Sequence, residues 1–169
     1  MDATELRAMQ APIKDRYKSD PGAALITLKA KGSLDDQSIA CKVETGRALA
    51  VAGLHPATGG SGLELCSGDM LLEALVACAG VTLKSVATAI EVPLESGRVI
   101  AEGDLDFRGT LGVDKEAPVG FAEIRLRFEV ESAAPQDKLD LLLKLTERYC
   151  VVYQTIKNGP KVSVSMKRM

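Results

Sequence analysis

Cys78 and Cys150 are the residues of this 169-residue chain whose chemistry and placement most constrain a functional reading. Cys78 sits inside Met70-Leu-Leu-Glu-Ala-Leu-Val-Ala-Cys-Ala-Gly80, a stretch so apolar that it reads as a buried helix. Cys150 follows a separate amphipathic segment, in Glu147-Arg-Tyr-Cys-Val-Val-Tyr153. The opening residues, Met1-Asp-Ala-Thr-Glu-Leu-Arg7, mix charges and lead into no apolar run. They do not read as a secretory signal, and the cytoplasm is the expected compartment. Four cysteines in a chain of this size fall well below the density of a disulfide scaffold. Two separated thiols in a reducing compartment point to redox chemistry before they point to a structural staple.

Packing is the competing reading, because free cysteine is among the most buried residue types and fills a core as a small hydrophobe. Cys78 lies eleven residues beyond Ser67, the expected cap of its helix. At that distance the dipole of its own helix has faded, and apolar burial alone raises a thiol pKa. A reactive Cys78 therefore calls for a cation brought in from elsewhere, and arginine suits because it stays charged when partly desolvated. Asp69 is nine residues earlier, which at ~100° per residue puts it on the opposite helix face, about 13 Å away. Its simplest role is to stabilise the helix N-terminus.

The elements that must position these residues form one domain, preceded by an N-terminal helical extension over residues 1–22; the domain runs over residues 23–169. Ala3 to Tyr17 is loosely helical, with Leu6, Met9 and Ile13 as a thin stripe broken by Pro12. Ala24 to Lys31, Ser38 to Glu44 and Arg47 to Ala52 alternate as strands. Gly53 to Gly68 reads as a long loop rich in glycine, proline and small polar residues. Ser67 is expected to cap the long apolar helix, which ends near Ile90 before Pro93. Arg98 to Thr110 and Val119 to Glu131 alternate as a hairpin with one polar face. Pro135 opens a helix whose apolar face is Leu139, Leu142, Leu143 and Leu145, and a short helix follows Cys150 to Ile156. Lys161 to Lys167 is expected as a last strand. This order defines an α+β domain.

Composition removes several classes of function. The net charge of −2 and 4% aromatic residues leave neither a basic footprint nor a stacking platform for nucleic acid. Met70 to Ile90 carries Glu73 and Lys84, so it reads as a core helix and not a membrane span. The single histidine, His55, has no paired ligand spacing around it, so no zinc site is expected. Gly59-Gly60-Ser-Gly62 lacks the lysine of a phosphate loop. No cofactor is implied. Cys66, beside the expected cap, reads as a loop residue with a second reading as a competing thiol.

Ser67-Gly-Asp-Met-Leu-Leu-Glu-Ala-Leu-Val-Ala-Cys78 resembles the Pro-x-Glu-Leu-Leu-x-Ala-Leu-x-x-Cys element of the OsmC/Ohr family, the osmotically inducible protein C and organic hydroperoxide resistance proteins. Glu147-Arg-Tyr-Cys150 is similar to that family's second-cysteine element, and the resemblance spans about Ala24 to Lys167. It implies antiparallel sheets packed around a long central helix in an intertwined homodimer. It also implies a thiol peroxidase acting on organic or fatty-acid hydroperoxides. Cys78 would attack the peroxide and become a sulfenic acid, Cys150 would condense with it to a disulfide, and a lipoyl-type dithiol would restore the pair. Peroxidase members hold the thiolate with an arginine and a glutamate; here Arg47 is the candidate arginine, and Asp69 or, in the adjacent register, Gly68 stands at the glutamate position. The chain also has Cys150-Val151 where the strongest peroxidases have Cys-Pro, which places it closer to the broader OsmC-like set. The apolar neighbours Leu71, Leu75 and Val81 would favour lipid-like substrates. The alternative reading is a non-catalytic or redox-sensing dimer that binds an apolar small molecule.

Overall fold

The computed structural model describes residues 2–19, 31–34, 40–44 and 49–168. The α+β order expected from the pattern is present: an N-terminal helix α1 (Ala3–Ser19), strands β1 (Lys31–Leu34), β2 (Ala40–Glu44), β3 (Leu49–Gly53) and β4 (Leu65–Cys66), and the long helix α2 (Ser67–Ala89). Then come β5 (Ser96–Leu105), the single turn α3 (Phe107–Thr110), β6 (Phe121–Glu131), α4 (Gln136–Tyr149) and α5 (Val151–Asn158). Strands β1 to β4 form one sheet in chain order, antiparallel except for the parallel β3/β4 pair. β5 and β6 make a separate antiparallel hairpin, with Ser96 opposite Glu131 and a bulge at Asp104/Leu105.

α2 is long and apolar enough to cross a membrane by composition, yet it is the core helix to which the other elements attach. Leu75, Ala79, Leu83 and Val86 recur at three- and four-residue steps along it and are buried, as the period of a helix requires. Leu83, Val86 and Ala87 close a core with Val92 and Leu142, against which Phe128, Val130, Leu139 and Leu145 pack. α4 contributes Leu142 and the fully buried Thr146, whose hydroxyl is satisfied by donating to the Leu142 carbonyl at 2.8 Å. Leu143, expected on the same buried face, is instead exposed and turns toward a groove beside β6. The outer face of the hairpin is a ladder of ion pairs, Arg98 with Glu129 and Arg125 with Asp104 and Glu123, as its polar alternation implied.

Three local expectations are corrected. The cap of α2 is Cys66, not Ser67: β4 hydrogen-bonds beside Gly53 and runs straight into the helix, so Ser67 is already its first turn. The segment Gly53 to Gly68 holds a 3-10 turn at Pro56–Thr58 as well as β4. Lys161 to Lys167 makes no ladder with the described residues; Val162, Val164 and Met166 are largely exposed. An alternating segment becomes a strand only where a sheet edge accepts it, and among the described residues none does. The first expected strand falls largely outside the described residues, as does Arg47.

α2 ends in a Schellman turn, in which the Val92 N–H reaches the Ala87 carbonyl (2.9 Å) and the Glu91 N–H reaches that of Thr88 (3.3 Å). The left-handed position is filled by Glu91 (φ 59°), a residue that pays for it sterically. Its ion pair with Arg7 is open to solvent at both ends and contributes little. Glu91→Gly is therefore expected to raise stability by about 0.5 kcal/mol. A higher urea midpoint at unchanged slope is the expected readout, and a lower midpoint would show that the α1–α2 ion pair matters more than the backbone strain.

Candidate functional site

The chain brings Cys78 and Cys150 together, although 72 residues separate them. α2 carries Cys78 midway along its length, partly exposed, and α4 and α5 both pack beside α2. Cys150 is the hinge between those two helices: it closes α4 and opens α5 with an extended backbone (φ −72°, ψ 107°). Its side chain is 1% exposed, and its thiol is within hydrogen-bonding reach of the Cys78 sulfur. Cys66, Cys78 and Cys150 are all free thiols.

The two thiols are pushed in opposite directions. Burial raises Cys78, but the N–H of Val152, the Cys150 thiol, the N–H of Val151 and the Thr82 hydroxyl outweigh it, so Cys78 is held below the ordinary thiol range. Cys150 is raised, first by burial and further by the neighbouring Cys78, despite a hydrogen bond from the Tyr153 N–H. Of the two thiols, Cys78 is therefore the one that gives up its proton first. Among the described residues the groups that lower Cys78 are neutral; Arg47, the candidate cation, lies outside them. The short helix expected after Cys150 is present as α5, but its part in the site was not anticipated. Its first-turn N–H groups have no intrahelical partner, and those of Val152 and Val151 are among the groups that lower Cys78. A short helix starting directly after a cysteine was the available signal. Thr82, one turn beyond Cys78, also escaped notice; its hydroxyl donates to the Cys78 carbonyl at 2.7 Å.

Asp69 does not reach the pair within the chain. It is exposed in the first turn of α2, beside a small cavity lined by His55, Cys66, Leu105, Phe107 and Phe121. His55 has a structural role there: Nδ1 accepts the Ala57 N–H at 3.0 Å, capping the 3-10 turn, and the ring stacks on Phe107 at 4.9 Å. Among the described residues no cluster suited to a metal ion occurs. Of the apolar neighbours expected around Cys78, Leu75 is buried, while Leu71 and Val81 are 40% and 73% exposed.

A larger apolar groove of about 550 Å³ lies between β6, α4 and α5, and neither cysteine lines it. Leu75, Phe121, Phe128, Leu143, Tyr153 and Ile156 line it, with Glu147 and Lys157 also on its wall. Leu75 is one turn before Cys78 and Tyr153 one turn after Cys150. Phe121 swings across β5 at Gly103, where any Cβ would meet the ring at 2.5 Å, so glycine is what lets the ring enter the groove.

An α+β domain with a long central helix packed against antiparallel strands is the fold of a known class. The OsmC-like protein family profile matches residues 60–165, and the chain belongs to that family. In fold it is similar to an OsmC-like protein from Mycoplasma pneumoniae, with a TM-score of 0.65 and 16% identity over 79% of this chain and 89% of that one. It is also similar to an organic hydroperoxide resistance protein OsmC from Legionella pneumophila (TM-score 0.62, 17% identity, 80% and 92% covered). A third similar structure is an organic hydroperoxide resistance protein from Elizabethkingia anophelis (TM-score 0.62, 14% identity, 80% and 91% covered). No curated protein matches the sequence significantly.

Proposed function

We propose that this chain is a thiol-dependent peroxidase that reduces organic, lipid-like hydroperoxides through Cys78 and Cys150 in a reducing cytoplasm. The observation that carries the reading is the asymmetric pair itself: one thiol held low and partly open, the other raised and buried against it. Relatives in fold that are described as organic hydroperoxide resistance proteins support the substrate class.

The Cys78 thiolate attacks the peroxide oxygen remote from the organic group, and the O–O bond breaks. The alkoxide takes up a proton and leaves as the alcohol, and Cys78 is left as a sulfenic acid. The Cys150 sulfur then attacks the sulfur of that acid; its proton and the sulfenic hydroxyl leave as water, and the disulfide forms. A small dithiol of the lipoyl type returns both thiols by exchange and carries away the oxidising equivalents as its own disulfide. The protein works as an intertwined homodimer in this reading. Two features support it: the open apolar face of α2 at Leu71 and Val81, and the alternating tail at Val162 and Val164 that finds no sheet edge among the described residues. Arg47, and Asp69 reaching across the dimer, complete the proposed site.

The test is turnover of cumene hydroperoxide with a dithiol as the only reductant. Cys150→Ser is expected to keep the first oxidation of Cys78 but cut dithiol-driven turnover at least ~tenfold, with the sulfenic acid trapped at Cys78 by dimedone. Full turnover by this variant would remove Cys150 from the cycle. Hydrogen peroxide consumed as fast as cumene hydroperoxide would remove the preference for lipid-like substrates. The apolar groove favours one second reading, a dimer that binds an apolar small molecule and uses its thiols only as a sensor.

A further inference from the structure

The groove between β6, α4 and α5 is lined within one chain and has no part of the thiol pair on its wall. Its volume of about 550 Å³ falls inside the roughly 300–1,000 Å³ of small-molecule sites. Phe121 and Phe128 stand on its β6 side, and Leu143 is 42% exposed on its α4 side. Such side chains left open along one concave face are apolar surface that a ligand can remove from water. One cation stands on the same wall. The Lys157 ammonium donates to the Tyr153 hydroxyl at 3.4 Å and lies 5.4 Å from the centre of that ring, so its position at the groove is set. Among the described residues it has no carboxylate partner. Of the two acids on the wall, Glu123 is paired with Arg125 at 3.2 Å, and Glu147 pairs neither with Lys157 nor with any other described cation.

We propose that this groove binds an amphipathic monocarboxylate, its apolar chain along Leu75, Phe128 and Leu143 and its carboxylate on Lys157 beside the Tyr153 hydroxyl. Burial of the chain supplies most of the affinity, and the single charge contact fixes which end faces α5. The Tyr153 oxygen accepts from Lys157 and leaves its O–H to donate to the carboxylate, so the two side chains present one joint anion contact. The site uses neither thiol and does not depend on the peroxidase reading. Two sources carry the same chemistry: the carboxylate end of a hydroperoxide that reacts at the thiols, or a carboxylate that is never oxidised. Leu75 is only about 4.5 Å of helix rise from Cys78, so the first source is open as well as the second.

Titration calorimetry of the reduced protein with dodecanoate, dodecylamine and 1-dodecanol, each below its micellar concentration, tests the assignment without any peroxide. Dodecanoate is expected to bind saturably, one per chain, and about fivefold more tightly than the alcohol or the amine. Lys157→Met keeps the apolar stem and removes the charge, so it is expected to weaken dodecanoate about fivefold and leave dodecanol unchanged. Leu143→Gln, at an exposed position, is expected to weaken both alike. Tighter binding of the amine would assign the groove to Glu147, and equal, unsaturable uptake of all three would mark partition onto the surface. Either result overturns the proposal, as does a Lys157→Met protein that binds dodecanoate as the wild type does. Competition then reads the source. Saturating dodecanoate slows oxidation of Cys78 by a fatty-acid hydroperoxide but not by cumene hydroperoxide if the groove serves the substrate, and slows neither if it holds a separate ligand. If dodecanoate binds as expected and no peroxide is turned over, the groove assignment stands and the peroxidase reading falls.

Discussion

Cys78→Ser is expected to abolish dithiol-dependent turnover of organic hydroperoxides, by about a thousandfold or more, while leaving the protein folded. Serine keeps the size of the side chain but not its chemistry: a hydroxyl cannot be held as an anion by two amides and a neighbouring thiol near neutral pH. Cys78 is only partly buried and lies at the edge of the core helix face, so the exchange opens no cavity. The helical hydrogen bonds are unaffected, and the Thr82 hydroxyl keeps the residue 78 carbonyl as its acceptor. Far-UV circular dichroism and the thermal midpoint should therefore match the wild-type protein. Retained turnover in this variant would remove the nucleophile from the account. Loss of turnover accompanied by unfolding would mark Cys78 as a packing residue.

Leu142→Ala is expected to be the most damaging single change to stability. Leu142 is 2% exposed and joins α4 to Leu83, Val86, Ala87 and Val92, so its truncation leaves a cavity that helices on several sides must collapse to fill. A loss of about 3 kcal/mol follows, which for a chain of this size lowers the thermal midpoint by about 10 °C. The change also reaches the site. Leu142 is two turns before Cys150 on the same helix, and the register of α4 against α2 is what brings Cys150 to Cys78. Oxidation of Cys78 by one equivalent of peroxide should survive in this variant, whereas closure to the disulfide should slow. A midpoint within 2 or 3 °C of wild type would mean that α4 repacks freely, and the rigid junction at Cys150 would lose its basis.

The parts of this fold that were legible in the sequence are those dictated by local periodicity. The alternation of Ile124, Leu126, Phe128 and Val130 against Arg125, Arg127 and Glu129 specified a half-solvated strand, and the structure pairs it with β5 in one antiparallel hairpin. The run from Met70 to Ile90 specified the core helix almost to its ends, and Pro135 marked the start of α4. Legibility failed where an outcome depended on residues distant in the chain. Ser67 is a good cap by type, but β4 was too short to recognise, and its pairing with β3 moved the cap to Cys66. Lys161 to Lys167 has the pattern of a strand and finds no edge to join among the described residues.

The same division holds at the site. Both cysteines stood out by position, and the fold places them side by side. Their electrostatic environment did not stand out, because the main-chain N–H groups that contribute to it beside Cys150 and Thr82 leave no mark on residue type. Asp69 shows the reverse case: its nine-residue separation from Cys78 on a straight helix was readable at once, and the structure keeps the two apart.

The most direct measurement is to treat the fully reduced protein with one equivalent of cumene hydroperoxide and map its disulfides by mass spectrometry over time. The account predicts rapid, near-stoichiometric formation of a Cys78–Cys150 bond, with Cys66 still reduced. Thiols that stay reduced, or a bond that forms elsewhere at the same rate, would contradict it and leave both cysteines as packing residues beside an apolar binding groove.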